Sequence, residues 1–118
     1  MSESVAVREN NGTVQAKQYV ARVISPPVDV FENADEVLVV ADVPGVPSHA
    51  VDVRVENGVL TLEAKRPSEP EMAFARSFRF PPGIDAANIT AEAKNGTVLV
   101  RLPKVAAAKP RKIAVEGA

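Results

Sequence analysis

From Val28 onward, apolar and polar residues alternate with a period of two, and turn residues break the alternation at regular intervals. "VDVFEN" predicts a short strand and "DEVLVVADV" a longer one. Within the latter, Val37-Leu38-Val39-Val40 is nearly continuous, as expected of a strand covered on both faces. "VDVRV" places Val51, Val53 and Val55 on one face, with Asp52 and Arg54 on the other. Asn57-Gly58 then marks a tight hairpin, because both residues tolerate positive φ. The return run "VLTLEAK" sets Leu60, Leu62 and Ala64 on one face. "RPSEPEM" reads as a loop, since its two prolines exclude a paired strand. "AFARSFRF", "ITAEAK" and "TVLVRLP" supply three more strands, separated by the turns "PPGIDAAN" and Asn95-Gly96. No segment carries a useful helical period. Short strands at this spacing predict an all-β antiparallel sandwich over residues 26–104.

Two flanking pieces lack that pattern. Residues 1–25 show no sustained period and predict a flexible arm, with a short ordered piece near "YVARVI" and a stop at "SPP". Residues 105–118 form an extended C-terminal tail in which Ile113 and Val115 alternate around Ala114, flanked by Arg111, Lys112 and Glu116. Two apolar side chains on an extended segment cannot make a core of their own. They can fill adjacent pockets on a sheet edge, where backbone bonds give affinity and side chains specificity. The pattern alone leaves docking on the chain's own domain and docking on a neighbour equally open.

Composition sharpens this. The chain has 118 residues, 46% of them hydrophobic but only 4% aromatic, with no Trp, so one domain with a Val/Leu/Ile/Ala core is expected. The formal net charge of -1 gives no reason to expect nucleic acid. Without cysteine there is neither a disulfide framework nor a thiolate site. "MSESVAVREN" lacks a secretory pattern and no apolar run is long enough to span a membrane, so a cytoplasmic protein with no membrane partner is expected.

Catalytic chemistry finds little support. His49 is the sole histidine, sits in the turn "PSHAV" and is read as structural or solvated. The acids Asp29, Asp42, Asp52 and Asp85 fall at strand alternations or turns. The scattered glycines form no phosphate-binding motif. The expectation is a non-enzyme without metal or cofactor that works by surface contact. One residue stands out. In "FARSFRF", Arg76 falls on the same side as Phe74, Phe78 and Phe80. A charge there needs a carboxylate partner, an edge or an interface, because breaking a buried pair costs about 3–5 kcal/mol. The pattern leaves an interface and a merely exposed strand end both open.

The text "PPVDVFENADEVLVVADVPGV", "VDVRVENGVLTLEAKR", "FARSFRFPPGIDAANITAEAKNGTVLVRLPK" and "RKIAV", in that order, resembles the α-crystallin domain of the small heat-shock protein family over about residues 26–116. The resemblance implies an immunoglobulin-like sandwich of two antiparallel sheets, ATP-independent holding of unfolding client proteins and assembly of dimers into larger oligomers. It implies docking of Ile113-Ala114-Val115 in a neighbour's groove, and a dimer-interface role for Arg76. A monomeric co-chaperone adaptor of the CS-domain kind is the alternative, since it shares the sandwich. The chain departs from bacterial members of the family at one place. Only "PSEPEMA" stands where they carry a loop with a strand that swaps into the partner. Seven residues reach about 23 Å, too little to go out and return. Strand-swapped dimerisation is therefore not expected. At "NGTVL" the second hairpin departs from the family's N-G-V-L without a change of register, which turns Leu99 away from Val98, Val100 and Leu102 as a candidate groove residue.

Overall fold

The computed structural model describes residues 3–5, 7–9, 22–67 and 72–117. Its strands are β1 (Glu3–Val5), β2 (Val7–Glu9), β3 (Arg22–Ile24), β4 (Val28–Glu32), β5 (Glu36–Asp42), β6 (Val51–Glu56), β7 (Val59–Arg66), β8 (Met72–Arg79), β9 (Thr90–Lys94) and β10 (Thr97–Pro103). They form two five-stranded sheets, ordered β1-β9-β10-β5-β4 and β2-β6-β7-β8-β3. All seven strands read from the alternation, β4 to β10, form, and every pairing among them is antiparallel.

The turn chemistry fixes the registers. Asn57 and Gly58 have φ of 49° and 78°, and Asn95 and Gly96 have 50° and 78°. These are the positive values of a two-residue turn whose twist matches the flanking strands. Each turn locks its hairpin so that one set of alternate residues faces inward. Val53, Leu62, Val98 and Leu102 are thereby buried, with Leu60, Val100 and Ala91, in a core that is almost wholly aliphatic. Phe74 is its one buried aromatic among the described residues, and none of them buries a charged or polar side chain.

Two expectations change. The run Val37 to Val40 is not covered on both faces. β5 is an interior strand of its sheet, with Val37, Val39 and Ala41 buried but Leu38 and Val40 only half-buried on the outer face. Flanking strands on both edges make a run look internal in sequence, while a second layer covers only one of its faces. The arm also contributes structure where none was expected. β1 pairs antiparallel with β9, β2 parallel with β6, and β3 parallel with β8. β1 and β2 were not anticipated, whereas β3 falls within "YVARVI", where a short ordered piece was; residues 1–2, 6 and 10–21 of the arm lie outside the described residues.

The connection between β7 and β8 is short. Arg66 pairs with Met72, so only five residues of sequence, 67–71, connect the two strands. β7 and β8 are thus a local hairpin with continuous register from Arg66↔Met72 to Val59↔Arg79.

Candidate functional site

A two-sheet sandwich has two open seams, where the edge strand of one sheet faces the edge strand of the other, and edge strands present unpaired backbone groups. Here the arm runs along both. At the first seam the edges are β6 and β9. β6 contributes Val51, Val53 and Val55, all buried, and β9 contributes the small residues Ala91 and Ala93. Glu3, Ser4 and Val5 pair with Ala93, Glu92 and Ala91; Val7, Arg8 and Glu9 pair with Val53, Arg54 and Val55. One stretch of seven residues therefore bonds to both sheets in succession. Val5 is half-buried and packs against the core. The signal for this was present in "SVAV", whose two valines alternate around an alanine as Ile113 and Val115 do. It was missed because two three-residue strands are too short to establish a period.

At the second seam the chain crosses from β3, on the edge of β8, through Ser25-Pro26-Pro27 to β4, on the edge of β5. Arg76 lies here. The alternation placed it correctly on the inward side, since it pairs with Leu62, which is 1% exposed. Yet Arg76 itself is exposed. Its guanidinium donates from Nη1 to the Pro26 carbonyl at 3.2 Å and lies 5.0 Å from the centroid of the Phe78 ring. No carboxylate among the described residues lies within ion-pair distance of it. The stem covers apolar surface while the head reaches the seam and water, which avoids the cost of an unpaired buried charge. β3 covers β8 only from Met72 to Phe74, so Arg76 sits beside a stretch of β8, Ala75–Arg79, with no strand partner on that edge among the described residues. Val23, Val30 and Phe31 are more than half exposed along the same flank.

The tail is anchored and then released. Lys104 donates its backbone N–H to Asp35 and its Nζ to Glu32 and the Asn33 carbonyl; Val105 donates to the Gly83 carbonyl. Lys109 reaches Asp35 at 3.6 Å. Beyond it, residues 110–117 have no regular structure, and Ile113 and Val115 are 72% and 92% exposed. Of the two dockings that the pattern left open, addition of a strand to the chain's own domain is not adopted.

Leu99 is half-buried on the outer face of β10, opposite Val98, Val100 and Leu102. It pairs with Val40 on β5 and Glu92 on β9. It therefore lies one strand in from the β9 edge, on an open face with Leu38 and Val40, and the structure does not bring it to the seam. His49 is exposed in the 3-10 turn Ser48–Ala50. Among the described residues no three His, Cys, Asp or Glu side chains gather as a metal site, and no helix is long and apolar enough to cross a membrane.

The molecule is thus an aliphatic sandwich with two edge seams and an exposed apolar pair on its tail. A family model described as "Hsp20/alpha crystallin family" matches residues 29–116. The chain belongs to this family. Heat shock protein 16 of Schizosaccharomyces pombe is 32% identical over 104 residues, covering 75% of this chain and 73% of that protein. Small heat shock protein C4 of Rickettsia felis is 26% identical over 110 residues, covering 82% and 68%. Among solved structures, heat shock protein 16.0 of S. pombe superposes with a TM-score of 0.66 at 31% identity, covering 79% of this chain and 76% of that one. A small heat-shock protein of Xylella fastidiosa gives 0.64 at 29% identity, covering 78% and 96%. Membership of the Hsp20/alpha crystallin family supports a chaperone role, with self-association and client binding in general, and these chaperones are not enzymes.

Proposed function

We propose that this chain is an ATP-independent holdase of the cytoplasm. It binds unfolding proteins through apolar surface and keeps them from aggregating, without turnover or cofactor. The observation that carries the reading is the tail: an apolar pair, 72% and 92% exposed, presented beyond a finished sandwich. A monomer gains nothing from such exposure, whereas a neighbour's sheet edge would bury it. Ile113 and Val115 are thus the contacts that link subunits. The α-crystallin domain over 26–104 is the rigid unit, with residues 1–25 as arm and 105–118 as linking tail. Arg76 sits beside the uncovered edge Ala75–Arg79, which supports a second subunit contact there. The open apolar face around Leu99, Leu38 and Val40 is available to clients. A connection of only five residues between β7 and β8 supports contacts other than an exchanged strand. The family match lends no weight to the CS-domain adaptor.

The test is suppression of heat- or reductant-induced client aggregation, followed by light scattering without nucleotide. Stoichiometric protein should slow or abolish the turbidity rise. Unchanged aggregation kinetics would end the holdase reading.

A further inference from the structure

We propose that Asn57 is a covalent modification site: it deamidates through its bond to Gly58, in preference to Asn95, and the product loosens the β6–β7 hairpin. The asparagines of the described residues divide by partner. Asn33 Oδ1 accepts the backbone N–H groups of Asp35 and Glu36 at 2.8 and 2.9 Å, and Asn88 Nδ2 donates to Asp85 at 2.7 Å. Asn57 and Asn95 are exposed, and their side-chain amides have no hydrogen-bond partner among the described residues. These two are also the ones followed by glycine, which has no Cβ to obstruct attack from its backbone nitrogen.

The step needs only water. The Gly58 backbone nitrogen attacks Asn57 Cγ and gives up its proton; the Cγ–Nδ2 bond breaks, ammonia leaves and a cyclic imide remains. Water then opens the imide at either carbonyl. One opening leaves aspartate; the other leaves isoaspartate, with the main chain rerouted through Cβ. The hairpin leaves the attacking group free, because its closing pair is Glu56↔Val59 and the Gly58 N–H lies outside the ladder. The ring closes only when the Asn57–Gly58 peptide rotates out of the turn, where φ is 49° and 78°. The rate therefore follows local opening. In this the two Asn-Gly turns part. A methyl group built on Gly58 would meet nothing within 4 Å. On Gly96 it would lie 3.2 Å from Pro44 Cα, and the Gly96 carbonyl accepts the Val43 N–H at 2.7 Å, against 3.0 Å for the bond from Phe80 to Gly58. The second turn is seated on the segment beneath it, and the first is not. The new carboxylate at residue 57 falls in a surface hollow that already holds Glu56 and Glu63, while Arg54, the cation lining it, is engaged by Asp52 at 2.8 Å. Isoaspartate also adds a methylene to the main chain of the two-residue turn that sets the register from Val51↔Ala64 to Glu56↔Val59.

The experiment incubates the full chain at neutral pH and samples it over weeks. Each sample is digested at mildly acidic pH and mapped by mass spectrometry that separates asparagine, aspartate and isoaspartate. A parallel sample is held in guanidinium chloride, where both Asn-Gly pairs are unfolded. In the folded chain Asn57 should convert about tenfold faster than Asn95, a difference of about 1.4 kcal/mol in local opening. In denaturant the ratio should fall close to one. The isoaspartate form of the chain should exchange its amide hydrogens faster from Val55 to Leu60 than the fresh chain. Asn57→Gly, which suits the positive φ and lacks the amide, should keep its fresh exchange rates on ageing. Equal rates in the folded chain overturn the proposal, and so does a lead for Asn95. It is overturned equally by an Asn57 that stays intact while the denatured chain converts, by a tenfold ratio that persists in denaturant, by unchanged exchange in the isoaspartate form, or by the same loosening in aged Asn57→Gly.

Discussion

Truncating the tail's two aliphatic residues gives the most direct measure of what assembly depends on. Ile113→Ala removes three carbons and Val115→Ala removes two. Each buried carbon is worth about 0.8 kcal/mol. The side chains are 72% and 92% exposed in the free chain, so nearly all of that surface is available for burial in a contact. Weighted by those exposures, the double substitution should weaken each tail contact by about 3 kcal/mol, or about a hundredfold in its dissociation constant. The fold should not notice, because surface substitutions away from packed features stay within about 0.5 kcal/mol. Multi-angle light scattering over a hundredfold range of protein concentration should show a smaller mass for the variant at every concentration where the parent chain is assembled. Thermal unfolding of the two should coincide once both are dissociated. An unchanged mass profile would refute the reasoning, because it would mean that the exposed pair buries nothing in the assembly.

Two further predictions concern the sandwich itself. Arg76→Ala should cost about 0.5–2 kcal/mol in urea unfolding, the worth of one hydrogen bond to Pro26 and one cation–ring contact with Phe78 near water; a loss above 3 kcal/mol would show that Arg76 is a buried paired charge after all. Leu62→Ala, at a position 1% exposed in the centre of β7, should cost about 2–5 kcal/mol and lower the thermal midpoint by well over 8 °C; a shift of a degree or two would place Leu62 outside the core.

The strands from β4 to β10 were legible because each encodes its own two-residue period, and the hairpins β6–β7 and β9–β10 carry Asn-Gly at the two positions that need positive φ. What escaped depends on neighbours that no local window contains. Leu38 and Val40 look buried in sequence, yet whether a second layer covers them is decided by the stacking of sheets, and none does. Arg76 could be assigned to the inward side but not to the seam, since its acceptor, the Pro26 carbonyl, lies 50 residues away along the chain. Val5 and Val7 went unread because a three-residue strand gains its stability from the edge it lies on rather than from its own pattern. In the tail, the pattern singled out the apolar pair, and the structure leaves both residues exposed and outside the two sheets.

The five-residue connection between β7 and β8 also divides the folding problem. β6, β7 and β8 follow one another through connections of two and five residues, so half of the sandwich is a meander built from contacts close in sequence. The other half must bring β5 against β10 across separations of 55 residues (Asp42 to Thr97) to 67 residues (Glu36 to Pro103). Loop-closure entropy delays such contacts until something already formed rewards them. The meander is that scaffold, and it needs no strand donated by another molecule. Maturation of one subunit is thereby first order in protein, and at concentrations where the chain is dissociated its midpoint in denaturant should not move with concentration, unlike that of a chain completed only by its partner.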